Sequence, residues 1–409
     1  MSKTLKYYNI IFRLVSPLAI GSGENANTDK DIILDSRGVP VIPASAVAGV
    51  FRHFLGAEGP DERFGYIAGK KSVESKIRFY DAQLISDNYF TTVRDSVALE
   101  EKVGKDGAKF DLEAVETGVD FGTVIEICDA DDADIISALC AVNAGVLRIG
   151  SKTSRGYGQL RVISLKKAEF SLPEDRSKWL DFDAFDMCDK CYDEYVLPDK
   201  DNGFVSIKMK LRQNGAVSIR SYTVKNVEDI NSADYVQLSL KNGTPVIPGT
   251  SWAGAFRERF KRLIGDTESS LTKELFGYVD EKYQLQKKSL IYFGESEISG
   301  AEMKFITRNS IDRFTSGTKH GALYTEKTCY NGSCGLEIFI NKNGLEDLEK
   351  NVKLICAVIC DLDRGHLAVG GLTSVGRGMF VVENITVNGT DVTAALKAQN
   401  ISAMAKEAL

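Results

Sequence analysis

No apolar run in the sequence reaches the roughly 18 residues that a membrane-spanning helix needs, and the opening MSKTLKYYNI lacks the apolar core of a signal peptide. A cytoplasmic location with no membrane partner is therefore expected. No glycine loop ends in Gly-Lys-Ser/Thr or leads into a helix, which disfavours nucleotide hydrolysis. Histidine is scarce, with only His53, His320 and His366. A positive excess is missing too: 57 acidic residues against 51 Lys and Arg leave a net charge of −6, which taken alone argues against a polyanionic partner. Eight cysteines in a chain of this length, with no export signal, do not read as a disulfide framework.

The charge deficit is local. Residues 174–201 hold ten Asp or Glu against four Lys or Arg, which accounts for all of it. The rest of the chain is balanced and leaves room for basic surfaces such as Lys70/Lys71/Lys76/Arg78, Lys152/Arg155/Arg161 and Arg257/Arg259/Lys261/Arg262. Each cluster taken singly also reads as a solvated face. CDKC (Cys188 to Cys191) has zinc spacing, and Cys329 with Cys334 would complete a four-sulfur structural zinc site, although the two pairs lie far apart in sequence. Cys356 and Cys360, four apart in VKLICAVIC, read as buried helix positions.

A chain of 409 residues exceeds one ordinary core. Its division is written in the sequence: GVPVIPASAVAGVFR (residues 38–52) returns as GTPVIPGTSWAGAFR (243–257), with nine of fifteen positions identical. FGY at 64–66 returns at 276–278, IRFYDA as IYFGES, VRDSVAL as TRNSIDRF, and RIGSKTSRGYG (148–158) as AVGGLTSVGRG (368–378). Four further segments in the same order imply one fold used twice. Each copy opens with period-two alternation, YYNIIFRLVS and VSIKMKLRQ, which predicts a strand. A polar loop follows, then turn chemistry and a helix, a strand-rich middle with a long hairpin, a second helix, and a glycine-rich loop before a last strand. That order, β, α, ββ, α, β, is α+β of the ferredoxin-like or RNA-recognition-motif-like type. The expected division is a first domain at 1–168, an acidic linker at 169–203, a second domain at 204–390 and a helical C-terminal tail at 391–409. Trp179, Phe182, Phe185 and Tyr192 predict that the linker packs rather than floats.

Glycine loops can cradle anions, because backbone N–H groups approach phosphates with no side chain in the way. The first loop offers Gly150, Lys152, Ser154, Arg155, Gly156 and Gly158, and the second Gly370, Gly371, Ser374, Gly376, Arg377 and Gly378. Hydroxyls and a cation in both predict contacts to a phosphate backbone rather than mere tight turns. Arg52 and Arg257 hold the same place on the first helix of each copy; they read either as a second phosphate clamp or as partners in helical surface salt bridges.

The Pro-x-Ile-Pro helix entry with Ala-Gly-x-Phe-Arg behind it, and the late (Gly/Ser)-x-x-Ser-x-Gly-x-Gly loop, together resemble the RAMP superfamily of CRISPR-associated proteins. The likeness is to the backbone subunits that line up along guide RNA in type III effector complexes, here two of them fused in tandem. It implies CRISPR guide RNA, target RNA and other effector subunits as partners. In target-cleaving members an aspartate in the loop before the Pro-x-Ile-Pro motif cuts the target, with a divalent cation, Mg2+ or Mn2+, assisting. Asp29 precedes Pro40 by eleven residues and Asp234 precedes Pro245 by the same eleven, so these two are the candidate catalytic residues of a metal-dependent endoribonuclease. Their metal ligands are not specified by the sequence. Asp31 and Asp35 could assist Asp29, whereas Val236 and Leu240 stand at those places in the second copy. The middle hairpins, near 94–125 and 308–338, match a thumb-like insertion. Three other readings stand beside this one: a scaffold that holds guide RNA without cutting; a guide-processing endonuclease, which would want a histidine base; and a protein-interaction module, which leaves the paired loops without a purpose.

Overall fold

The computed structural model describes residues 3–21, 31–57, 59–69, 71–100, 103–198, 203–221, 233–265, 270–280 and 285–409. The chain divides into two compact units, one of Met1–Thr153 with Tyr157–Asn202, the other of Gly203–Leu409 with Ser154–Gly156. Both are α+β, built on antiparallel sheets.

The elements of the first unit that concern the site are β1 (Lys3–Leu14), α1 (Ala44–Phe54), β2 (Thr91–Glu100), β3 (Val103–Val115), β4 (Asp120–Cys128), α2 (Ala133–Asn143) and β5 (Leu160–Leu172). β1 lies between β5 and β4, antiparallel to both, and the short strands Ile77–Phe79 and Ala82–Leu84 pair with the far side of β4. β2 and β3 form a separate antiparallel hairpin. β1 is buried on both faces. Tyr8, Ile10 and Phe12 point to one side, while Leu5, Tyr7 and Asn9 on the other are covered by the acidic segment that follows β5. There Trp179 Nε1 donates to Tyr7 Oη at 3.1 Å, Asn9 Nδ2 donates to the Ala184 carbonyl at 3.0 Å, and Phe182 and Tyr192 pack against Phe170 and each other. Period-two alternation reads as a half-buried strand, and this segment is why β1 is more than that. Trp179, Phe182 and Tyr192 pack against the sheet, while Phe185 is 61% exposed and most of the acids remain in water.

The second unit repeats the plan with β6 (Phe204–Asn214), β7 (Tyr235–Gln237), α3 (Gly249–Ile264), β8 (Glu302–Arg308), β9 (Tyr324–Tyr330), β10 (Ser333–Asn341), α4 (Leu348–Asp363) and β11 (Met379–Val387). β6 lies between β11 and β10, with Ile291–Phe293 and Ser296–Ser299 against β10. Both central strands carry a register shift at the same place, between Ile11 and Phe12 and between Lys210 and Leu211. On α3, Trp252, Phe256 and Phe260 at spacing four are fully buried and Gly265 ends the helix in the left-handed region at φ 70°. α4 is capped by Asp347, whose side chain accepts from the Lys350 amide at 2.9 Å. Cys356 and Cys360 are buried on it, and burial pushes the Cys356 thiol up to about 12. After β11 come the short helices Thr393–Lys397 and Ile401–Lys406. Among the described residues no helix is long and apolar enough to cross a membrane.

The first unit also holds a polar cluster under β1. Tyr8 Oη donates to Asp132 at 2.6 Å, with the Lys167 and Lys6 ammonium groups at 3.0 and 3.3 Å. Burial pushes the Asp132 carboxyl up, but these donors outweigh it and hold it down to about 2. A folded value below the unfolded one of about 3.9 adds stability above about pH 4, and that stability is lost as pH falls through 2. Asp132→Asn is therefore expected to cost about 1–2 kcal/mol at pH 7, allowing for partial solvent screening. Urea melts should show the difference from wild type closing by about pH 2, and a gap of unchanged size there would contradict the assignment.

Candidate nucleic-acid interface

The two glycine loops are held by the same bonds. Ser151 N donates to the Ala19 carbonyl and Gly371 N to that of Ser218, both at 2.8 Å; Gly158 N donates to Pro17 and Gly378 N to Ala216, both at 2.8 Å. Ile149 N reaches the Gly158 carbonyl and Val369 N the Gly378 carbonyl, both at 2.9 Å. Each loop thus closes on the segment that leaves its own first strand. Each then makes a 3-10 turn, Thr153–Arg155 and Thr373–Val375. Lys152 and Leu372, at φ 53° and 58°, take the left-handed region at the same step, a conformation few side chains adopt without support.

This frame fixes the equivalences, and they correct one expectation. The cations of the two loops do not correspond. Arg155, exposed in its 3-10 turn, matches the exposed Val375; Arg377 matches Tyr157, and both are buried to 3%. Lys152 lies 5.9 Å over the Tyr157 ring and Arg94 6.0 Å over it. Ser154 is partly buried and Ser374 exposed, in equivalent turns.

Two of the three clusters of Lys and Arg singled out in the sequence are partly paired with acids. Lys76 pairs with Glu62, Arg78 with Glu74 and Glu126, Arg259 with Asp361, and Arg262 with Glu258. Arg52 is engaged within its own unit. Its Nε and Nη2 donate to the carbonyls of Ala57 and Gly59, at 3.0 and 2.6 Å, and tie down the turn after α1. Arg257 differs: its Nε is buried without a hydrogen-bond partner, and burial draws its guanidinium below the usual arginine value. An anion brought to that atom would satisfy it.

Asp29 lies outside the described residues, as does Lys70. Asp234 enters β7, which pairs in parallel with β9. Its carboxylate accepts from the Thr325 amide at 2.7 Å, and its own amide donates to the Thr325 carbonyl at 2.7 Å. The spacing of the two aspartates acquires a structural meaning here. Ile33 N donates to the Ile20 carbonyl and Leu238 N to that of Ile219, at 2.9 and 2.7 Å. Asp29 and Asp234 each stand four residues before those matched amides.

Sequence reading missed the charged group beside Asp234. Glu326, 1% exposed on β9, takes Arg377 on one oxygen at 2.5 Å and Arg220 on the other at 3.1 Å. The Arg220 guanidinium lies 4.0 Å over the Tyr235 ring, next to Asp234 in sequence. Nε of Arg220 and one terminal nitrogen of Arg377 are buried without partners. In the first unit the corresponding positions form an apolar cluster, Ala19, Leu112, Ala114 and Tyr157. In the second they are Ser218, Glu326, Thr328 and Arg377, all buried. A residue-by-residue alignment of the two repeats would have exposed this, because Leu against Glu and Tyr against Arg are not neutral exchanges.

Among the described residues cation ligands are not assembled about Asp234. One carboxylate oxygen takes an amide and Glu326 is committed to two arginines. Among the described residues no group of three or more His, Cys, Asp or Glu could hold a metal ion. Cys329 and Cys334 are buried in the second unit's core, where burial pushes the Cys334 thiol up to about 12 and so away from the thiolate that zinc requires. Cys188 is exposed and Cys191 partly buried in the acidic segment of the first unit.

The hairpin of β8 and β9 ends in an exposed tip. Asp312 Oδ1 accepts from the amides of Phe314 and Thr315, at 2.9 and 3.0 Å, and the Phe314 ring is 98% exposed. Ile311 and Leu323 beside it are exposed as well.

Comparison with known proteins agrees with this duplicated architecture. The chain resembles, at 15% identity and a TM-score of 0.34, a chain in the cryo-EM structure of the Type III-B Cmr-beta bound to cognate target RNA, over 45% of its own length and 61% of the other's. It thus spans less than two thirds of that neighbour. No curated protein matches it. The model of the RAMP superfamily matches residues 11–161 and 214–381, one stretch in each repeat and together more than half of the sequence, and the chain belongs to that superfamily.

Proposed function

We propose that the chain is a guide-RNA-binding backbone subunit of a type III CRISPR interference complex and that it cuts guide-paired target RNA at two places, one per repeat. The observation that carries this reading is the three matched backbone bonds that hold each of the two glycine loops within two repeats of one RAMP chain. A repeated cradle of backbone donors suits a repeated polyanion. Each repeat is read as a ferredoxin-like domain, because its last strand, first strand and third strand lie side by side in that order, with the short second-strand segments beyond. The acidic segment 169–203 is the linker between them. Arg155, Lys152 and Arg257 are assigned to guide phosphates, and the β8–β9 hairpin to the thumb, with Phe314 as the ring that meets a base.

In the cutting step Asp234 takes the proton of a ribose 2′-hydroxyl, the freed oxygen attacks the adjacent phosphorus in line, and the departing 5′-oxygen takes a proton from water. Asp29 does the same in the first repeat. The step is written with the chain's own groups; a divalent cation, Mg2+ or Mn2+, would assist it by stabilising charge on the phosphate. The bond from the Thr325 amide to Asp234 favours a second reading, in which that carboxylate only fixes β7 and the chain is a non-cutting scaffold.

The test is purification of the full chain with its partner subunits and bound RNA. Guides of unrelated sequence should be retained alike, and Phe314→Ala should weaken target binding about tenfold while leaving guide retention unchanged, as expected for one lost stack. Retention that depends on guide sequence would overturn a phosphate-directed cradle.

A further inference from the structure

We infer that Arg220 presents a phosphate-type oxyanion subsite that exists only in the second unit. Glu326, buried to 1%, is already neutralised by Arg377, itself buried to 3%. Among the described residues Arg220 is therefore a second positive charge on the same carboxylate, with its side chain 29% exposed. Its Nε has no partner, and neither has one terminal nitrogen of Arg377. Two unpaired donors and, among the described residues, two guanidinium groups on one carboxylate in a largely buried cluster are costly unless an anion completes them.

The molecule contains its own comparison. At the equivalent positions the first unit carries Gly21 for Arg220, Leu112 for Glu326 and Tyr157 for Arg377, and Leu112 and Tyr157 pack with Ala19 and Ala114 instead. Those positions are thus filled without an ion pair there, with Arg94 and Lys152 over the Tyr157 ring instead, and apolar replacements of buried ion pairs are often neutral or stabilising. The loop frame therefore forms in the first unit without the ion pair that the second unit buries. The second glycine loop lies against this group: a Cβ at Gly371 would meet the unpaired Nε of Arg220 at 3.5 Å, an ordinary contact, and the first unit has Ser151 at that place. The Arg220 guanidinium lies over the Tyr235 ring, next to Asp234 in sequence, with one terminal nitrogen on Glu326 and its Nε buried.

The phosphate is that of bound RNA, and to that extent the inference rests on the reading above. It makes the two repeats unequal: the second holds one phosphate more firmly than the first. The experiment uses the full chain, wild type and Arg220→Gln. This variant leaves Glu326 paired with Arg377 and is expected to fold. Binding to single-stranded RNA is measured across a salt series, and thermal stability with and without inorganic phosphate. Loss of one phosphate contact should weaken RNA binding about tenfold at low salt and reduce the slope of log affinity against log salt by about 0.7. Inorganic phosphate should stabilise wild type and not the variant. Arg220→Lys, which keeps the charge but not the fork, should recover the slope and only part of the affinity. Equal slope and affinity for Arg220→Gln and wild type, with equal response to phosphate, would overturn the subsite. A wild type that binds no RNA yet is stabilised by phosphate through Arg220 would overturn the RNA reading and leave a site for a free phosphate.

Discussion

Target RNA paired to the guide is expected to stay bound and uncut when Asp29 and Asp234 are both changed to Asn, while each single change removes one of two products. The reduction at each site should be about 10²–10⁴-fold, the range lost with a positioned general base. Asparagine at 234 is the informative choice because its side-chain oxygen can still accept the Thr325 amide at 2.7 Å, so β7 keeps its pairing with β9. Loss of cutting then reports the charge and not the strand. The equal spacing of the two aspartates from the matched bonds at Ile20 and Ile219 is the reason to expect two products rather than one. Product analysis on denaturing gels decides the matter. A double variant that still cuts at both positions at the wild-type rate would remove the aspartates from the mechanism, and a wild type that never cuts would return the chain to the scaffold reading.

The second large effect is expected from one methyl group. A Cβ at position 378 would lie 2.0 Å from the Val369 carbonyl oxygen, and at 158 it would lie 1.8 Å from that of Ile149. These are backbone oxygens of the residues whose amides close each loop, so they cannot swing aside as a side chain would. Gly376, two residues earlier at φ 85°, meets nothing within 4 Å. Gly376→Ala should therefore cost only the left-handed backbone penalty, about 1–2 kcal/mol, whereas Gly378→Ala should cost about 4 kcal/mol or more. Urea denaturation of the two variants makes the comparison, and equal costs would show that φ alone explains the glycines. A loop loosened this way should also bind RNA less well, since its amides would no longer converge.

The repeat, the strand and helix order, and the glycine loops were legible in the sequence because each rests on a local pattern: period two for YYNIIFRLVS, spacing four for Trp252, Phe256 and Phe260, and glycines where φ is positive. Pairings made across long separations were not legible. Arg52 looked like a phosphate ligand beside Arg257, yet it serves two carbonyls a turn away, and only the fold says which carbonyls are left open after α1. Arg377 counted as a surface cation until Glu326, 51 residues earlier, claimed it. The shared register shift in β1 and β6 has no signature in either strand's composition. The acidic segment after β5 reads as solvated by charge, while its Trp179, Phe182 and Tyr192 say that it packs; the aromatics proved the better guide, because burial is decided by the apolar side chains and the acids between them can still face water.

The two tryptophans of the chain fall one to each unit, Trp179 half-buried against Tyr7 and Trp252 sealed beside Phe380. Each repeat therefore carries its own intrinsic fluorophore. Trp252, fully enclosed with its Nε1 bound to Ser296 at 3.0 Å, should emit toward the blue and shift red only when its own core opens. Trp179, nearer water, should report the docking of the acidic segment. Replacing one tryptophan with phenylalanine leaves the other as a single optical reporter, so the melting of one repeat can be timed without labelling and without cutting the chain in two.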